Sequence, residues 1–552
     1  MTMNNGPFDL IIENGRVVDG AGNPWFRGDV GIKNGKIGYV GDLSTAESVQ
    51  RLDVEGDVVC PGFIDIHGHS DVAVLVRPQA ENMVMQGITT LVPGNCGFSA
   101  VPWGVEAADD AGAFEDEEIP KKLKELGIQW NSFPEYLEQI EKRGTSVNVA
   151  TLIGHGNVRA AVIGWDNRPP DASELESMRA HVDEAMQAGV FGISYGLLYA
   201  PGFYAQKDEM IEMNKVVARY GGFHSIHIRN ESSPEDYMTS IREAIEIGEK
   251  GGTAIQVSHL ETHYPNWGTQ GQALQILEDA RARGVDVTCD IPPYILSSIT
   301  LTAVFPSWVL DGGIPGMIER LKDPVMRQKI LKSIHDELPF AANFLIAGNW
   351  DKTWLGNSVM NPQYSGKNIS EIAAMRAVEP SLDVVMDILM EEGAEIGNHS
   401  QLHNEDDIRE LVAHPLSMIE TDASIEISYN GMTNPRSFGS FPATFRKYVR
   451  GEDRVDEPLE KGKKIITLQE AVRKMTSFPA QRLGLRDRGL VRAGMWADLV
   501  IFDPDTIADQ TTYQDPYQYP VGIDYVFVNG ELVVEKGKHT GKLPGKALRH
   551  NS

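Results

Sequence analysis

Residues 59–71 read VCPGFIDIHGHSD, an apolar run closed by two histidines one residue apart. The run is short, continuous and bounded by Pro61-Gly62, the texture of a strand buried on both faces. On a strand, His67 and His69 leave the same face. If this is the first strand of a parallel barrel, that face at its C-terminal end is the mouth.

Seven further runs extend the pattern: 89–96, 146–155, 190–197, 223–229, 253–260, 286–294 and 416–424. Helical patterns separate most of them, for example SELESMRAHVDEAMQAG (173–189) and PEDYMTSIREAIEIGEKGG (234–252). Eight strand–helix repeats predict an α/β fold, a (β/α)8 TIM barrel, over 62–480. No Gly-x-Gly-x-x-Gly or P-loop pattern follows any of these runs, which removes a nucleotide-binding sheet. The connection at 295–415 is far longer than an ordinary loop, and it is expected to act as a lid or substrate-binding insert. The acidic stretch in 103–135 reads as a solvated loop.

Both chain ends differ from the middle. Residues 1–61 and 481–552 hold short alternating runs with Asn-Gly dipeptides at 14–15, 34–35 and 529–530, each a hairpin signal. They predict one small β-sandwich assembled from the two termini.

The chain has 552 residues, 41% hydrophobic and 23% charged, with a formal net charge of −28. That charge opposes binding to nucleic acid and anionic membranes. No apolar run reaches the ~18 residues of a membrane span, and the N-terminus lacks a signal-peptide pattern. The cysteines are Cys60, Cys96 and Cys289, an odd set that fits a reducing, cytoplasmic location. A homo-oligomer is compatible with such a fold, but no feature sets a number.

Other predicted strand ends carry chemistry too. Cys96 closes the second run, His227 lies in the fifth, His259 ends the sixth and Asp422 ends the eighth. With His67 and His69 they supply imidazole, thiolate and carboxylate, the donors that Zn²⁺ prefers. A single strand-end histidine is usually structural; six donors at the same end of parallel strands are hard to assign to packing. Parity puts Arg229 on the face of His227, making it a substrate-contact candidate, and assigns His224 to packing. His155 reads equally as packing or as a mouth residue. His263 reads as a bystander.

The segments PGFIDIHGHSD, ENMVMQGITTLVPGNCGFSAVP, GISYGLLYAPGFYA, SIHIRNE, QVSHLE and AVRKMTSFPAQRLGLRDRGLVRAGMWADLVIFDPD resemble the D-aminoacylase (N-acyl-D-amino-acid deacylase) family of the amidohydrolase superfamily. The resemblance covers nearly the whole chain. It implies the barrel and sandwich above, and hydrolysis of the amide bond of N-acyl-D-amino acids by zinc-activated water. By the same resemblance Cys96, His227 and His259 match the ligands of a tightly held zinc. His67 and His69 match those of a second, weaker or empty site sharing Cys96. Asp422 matches the catalytic aspartate and Arg436 the arginine that meets a substrate carboxylate. His69, Tyr199 and Tyr294 are candidates for holding the oxyanion.

The chain departs from the family pattern at four places. Glu261 replaces the lysine of Ser-His-x-Lys, which helps bind a substrate carboxylate. The seventh strand continues Asp290-Ile291-Pro292-Pro293-Tyr294; IETDAS surrounds Asp422; and Asn434 precedes Pro435-Arg436. An anion in place of a cation repels a carboxylate. Two alternatives follow: an amidohydrolase acting on a cyclic amide, a peptide-like amide or a ring amine, and a non-catalytic barrel scaffold.

Overall fold

The computed structural model describes residues 7–102, 118–393, 396–429, 432–454 and 463–550. All eight expected runs form strands, each shorter than its apolar run: Phe63–Asp65, Ile88–Leu91, Asn148–Val149 continued by Ile153–Gly154, Gly192–Gly196, Phe223–His227, Ala254–Val257, Val287–Ile291 and Ser417–Ile419. They neighbour one another in sequence order and pair in parallel, as two arcs rather than one unbroken ladder. One arc runs from the first strand to the start of the third, the other from the end of the third to the eighth.

Single hydrogen bonds carry the pairing over both breaks. Within the third strand, Ala150 N donates to Leu91 O and Leu152 N to Pro93 O, while Thr151 O accepts from Phe191 N. Between the eighth and first, Gly68 bridges Ala423 in parallel, and Asp422 N donates to His67 O. The eight strands therefore follow one another around a (β/α)8 arrangement. Nearly every strand residue is buried, because helices cover the outside and side chains fill the inside.

The helices start and stop where the sequence dictates. Asp171 and Glu174 form a capping box at the start of Ala172–Ala188, and Gly189 ends it with φ 97. Ser233 caps Pro234–Gly251, with proline at its first position. The expected loop at 103–135 is corrected in part. Residues 103–117 lie outside the described residues, but Glu118–Leu126 and Phe133–Arg143 are helices whose Leu123, Tyr136 and Leu137 enter the core.

The two termini form one nine-stranded sheet, branched at Phe8–Val17, instead of two separately bonded layers. Strands from both ends share a core that includes Ile12, Val30, Val59, Leu499 and Phe527. Asn34-Gly35 and Asn529-Gly530 make the expected hairpin turns, with φ of 53, 73, 50 and 82. Asn14-Gly15 does not. It lies inside Phe8–Val17 as a bulge, where Ile12 pairs Val30 but Gly15 pairs Gly28. Beyond this sheet the chain returns to the barrel, where Leu548 N donates to Val149 O and His550 N to Gly189 O.

The stretch between the seventh and eighth strands has its own hydrophobic core, including Leu301, Ile334, Phe344, Leu355 and Leu389. A small antiparallel sheet of Ser297–Thr300, Gly397–Ser400 and Thr353–Leu355 closes it. Tyr264 N donates to Leu402 O and Asn434 Nδ2 to Leu296 O, which ties this unit to the loops after the sixth and eighth strands. Among the described residues, no helix is long and apolar enough to cross a membrane.

Candidate metal centre and active site

Six side chains converge just past the C-terminal ends of the strands. Cys96 Sγ lies 3.4 Å from His67 Nε2, 3.7 Å from His227 Nδ1 and 3.5 Å from His259 Nε2. Across a tetrahedral zinc with ordinary bond lengths, sulfur and nitrogen ligands stand about 3.5 Å apart. The donor types and their separations both fit such an ion. The ligand atoms fall into two groups that share Cys96: Cys96, His227 and His259, and His67, His69, Cys96 and Asp422.

Backbone strain buys this convergence. Cys96, His259 and Asp422 have φ of 50, 30 and 42, left-handed values that cost a non-glycine residue about 1–3 kcal/mol. The surroundings hold each one. Cys96 sits between Gly94 and Gly97, and its carbonyl oxygen packs so closely on Gly196 that a Cβ there would lie 1.9 Å away. His259 N donates to Asp290 Oδ1 at 2.6 Å, and Asp422 N to His67 O at 3.0 Å.

The protonation states suit a cation. Burial, with the charges of Asp422, Asp290 and Glu420, pushes the Cys96 thiol up. Burial pushes the His227 imidazole far down and that of His259 to about 4. Both imidazoles are thus neutral, with lone pairs free to bind. Since a thiolate is the binding form, taking up a cation releases the thiol proton. Asp422 behaves oppositely. Burial alone would raise its pKa, yet Arg436 and His69 hold it well below the usual carboxylate range. Arg436 meets Oδ2 at 2.6 Å and His69 Nε2 lies 3.0 Å from Oδ1.

The remaining expected site residues divide. Tyr199, half-buried, packs edge-on to His227 with ring centres 5.1 Å apart. Glu261 is buried, with Oε1 3.4 Å from His403 Nε2. Arg229 is corrected: its guanidinium pairs with Glu243 at 2.9 Å and donates to the carbonyls of Phe203 and Ala205. Shared parity with His227 did not bring it to the mouth, because the strand ends at His227. Tyr294 is corrected too, since its hydroxyl donates to Asp509 Oδ2, which also takes Arg446. His155 is a packing residue, buried against Glu209 at 2.8 Å, and His224 accepts from Asn214 and Thr253. His263 stands 2.8 Å from Glu231.

Asp290 and Glu420 were not among the site candidates read from the sequence. Asp290 accepts from the His259 backbone and from Gln256, and lies 3.5 Å from His67 Nδ1. An acid inside an apolar strand was the available signal. Glu420 lies fully buried two residues before Asp422, and burial with Asp422 and Asp290 nearby raises its pKa.

Comparison with known proteins shows the family of the chain. Residues 50–534 match the model of the amidohydrolase family. The chain is 32% identical to an N-acyl-D-glutamate deacylase of Alcaligenes xylosoxydans xylosoxydans, covering 99% of this chain and 97% of that one. It is also 32% identical to a D-aminoacylase of the same organism, with 98% of each covered. Among solved structures it resembles the N-acyl-D-glutamate deacylase of Bordetella bronchiseptica in complex with zinc and a phosphonate mimic of the tetrahedral intermediate. That match has TM-score 0.80, 30% identity, and covers 99% of this chain and 100% of the other. A D-aminoacylase structure matches with TM-score 0.80 and 31% identity over 98% of this chain and 100% of that one. With its donors gathered at one end of a parallel β/α fold and its family model matched from residue 50 to 534, the chain belongs to the amidohydrolase family.

Proposed function

We propose that this protein is a zinc-dependent hydrolase that cleaves the amide bond of N-acyl-D-amino acids. The observation that carries the reading is Cys96 Sγ within 3.4–3.7 Å of three imidazole nitrogens, beside an ionised Asp422. The names and zinc content of the relatives support it.

Cys96, His227 and His259 would hold the tighter zinc, and His67 and His69 a second ion sharing Cys96. The zinc supplies Lewis acidity, which acidifies water and polarises a carbonyl oxygen. Asp422 Oδ1, between His67 and His69, takes the water proton and later delivers it to the departing nitrogen. Arg436 keeps the carboxylate ionised before attack, and its charge orients an anionic substrate group. His69 and Tyr199 stand where they can donate to the oxyanion. Asp290 orients the His259 backbone.

In this reading 62–480 is the catalytic barrel, 295–415 covers its mouth, and 1–61 with 481–552 supports it. The net charge and three free, buried cysteines support a cytoplasmic enzyme acting on a small molecule, not on nucleic acid or membrane.

Metal analysis of the purified protein tests this together with turnover of N-acetyl-D-methionine and N-acetyl-D-glutamate. Zinc near one equivalent or more is expected, and Cys96→Ala should weaken zinc binding by more than about 100-fold and abolish turnover. Full hydrolysis by zinc-free protein would refute the reading.

A further inference from the structure

A chain of buried hydroxyl and amide groups runs behind Cys96, His227 and His259. Asn95 immediately precedes Cys96, Ser258 immediately precedes His259, and Ser225 lies two residues before His227 on the strand Phe223–His227. Ser225 and His227 therefore leave the same face of that strand. Ser225 Oγ stands 2.8 Å from Asn95 Oδ1 and 2.9 Å from Ser258 Oγ. Asn95 Nδ2 donates to Val92 O at 2.8 Å, and Gly68 N, between His67 and His69, donates to the same carbonyl at 3.2 Å. Asn95, Ser225 and Ser258 are 0%, 2% and 2% exposed.

Counting donors gives the chain a direction. Asn95 turns its amide nitrogen to Val92, so its Oδ1 is the acceptor facing Ser225. Ser225 has one hydroxyl proton and gives it to that oxygen, which leaves Ser258 to donate to Ser225 Oγ. Removing the middle hydroxyl would strand an acceptor on one side and a donor on the other, both away from water. The position of the hub also matters. Cys96 and His259 hold left-handed φ of 50 and 30, and the residues just before them are the two that Ser225 grips. His227, by contrast, ends an extended strand. Two strained turns are thus tied to one regular strand.

We propose that Ser225 is a positioning residue for the metal centre, touching neither ion nor substrate. Through Asn95 and Ser258 it holds Cys96 and His259 at their spacing from His227, so that the donor set is formed before an ion arrives. This rests on the zinc reading above and deepens it. Residues that orient ligands in this way typically contribute about 10–100-fold to metal affinity.

The test measures zinc affinity of the full chain by chelator competition, beside the thermal midpoint of the metal-free protein and the visible spectrum of the Co²⁺-loaded form. Ser225→Ala should weaken zinc binding about 10–100-fold and shift the cobalt bands. Ser258→Ala should act in the same direction, and the double variant should lose no more than Ser225→Ala alone, since both cut one chain. Thr476→Val is the control: it removes a buried hydroxyl that donates to Val472 O at the end of the helix Leu468–Met475. It should lower the thermal midpoint and leave zinc affinity unchanged. If Ser225→Ala does not fold, Ser258→Ala and Ser225→Thr, which keeps the hydroxyl, decide the matter: the first should weaken zinc binding and the second retain it. Zinc affinity within about twofold of the parent in the Ala variants overturns the proposal, as do losses that multiply in the double variant or that Thr476→Val reproduces. Unaltered affinity with amide turnover intact leaves the hydrolase reading standing. The expected loss of affinity in a chain that cleaves no amide supports the positioning role and counts against that reading.

Discussion

Asp422 stands between Arg436 and His69, and the pair of contacts defines what each oxygen can do. Oδ2 is held by the guanidinium, while Oδ1 faces the imidazoles of His69 and His67 at 3.0 and 3.6 Å. Asp422→Asn keeps the shape but cannot accept a proton. Steady-state kinetics should show kcat reduced about 10²–10⁴-fold, with zinc retained on metal analysis. Asp290→Asn acts one step further out. It weakens the acceptor for His259 N, and should lower zinc affinity about 10–100-fold in a chelator competition. These residues were unequally legible. His67, His69, Cys96, His227, His259 and Asp422 announce themselves by type and by place at strand ends. Asp290 looked like one polar residue in an apolar strand, and only the fold turns its carboxylate to the His259 backbone.

Elements decide whether those residues meet. The fourth strand ends at Gly196, against the carbonyl of Cys96, so even a methyl group there collides with backbone at 1.9 Å. Gly196→Ala should cost about 1–3 kcal/mol or more, and lower both the thermal midpoint and the zinc content. Gly271 makes the contrast. It lies exposed in the helix Gln270–Ala282, and an added Cβ meets only the tip of the Glu410 side chain at 2.7 Å. Gly271→Ala should be neutral or raise stability by up to about 1 kcal/mol in the same melt. Element type was readable from periodicity and caps, since Asp171 and Ser233 begin helices where the sequence expects them. Strand length was not. The apolar run 89–96 continues past Leu91 because its last residues turn through Gly94 and left-handed Cys96 into the site, staying buried without being extended. Arg229 was misread for the same reason, as alternation stops where its strand stops.

The whole molecule adds what no element holds alone. His224, deep between the fifth strand and its helices, has its pKa lowered by burial to about 3. The unfolded chain binds a proton there near pH 6.5 and the folded chain does not, so stability falls as pH drops through that window. Between pH 7 and 4.5 this one imidazole should account for about 2–3 kcal/mol of lost stability. His224→Gln should flatten the dependence of the denaturant midpoint on pH across that range. A slope unchanged by the substitution would place the acid sensitivity elsewhere. The nine-stranded sheet is likewise a property of the whole, because Val58–Pro61 pairs with Leu499–Phe502 from the other end of the chain.

The sequence by itself determined the parallel β/α order, the joint sheet of the termini and the types of side chain that gather round Cys96, because buried strands, Asn-Gly turns and donor-bearing residues are local chemistry. Only the tertiary structure decided that Asn14-Gly15 is a bulge, that the long connection folds round a core of its own, and that Arg229 and Tyr294 serve packing. Those outcomes depend on which surfaces meet in space, and no spacing along the chain encodes a contact between segments so far apart.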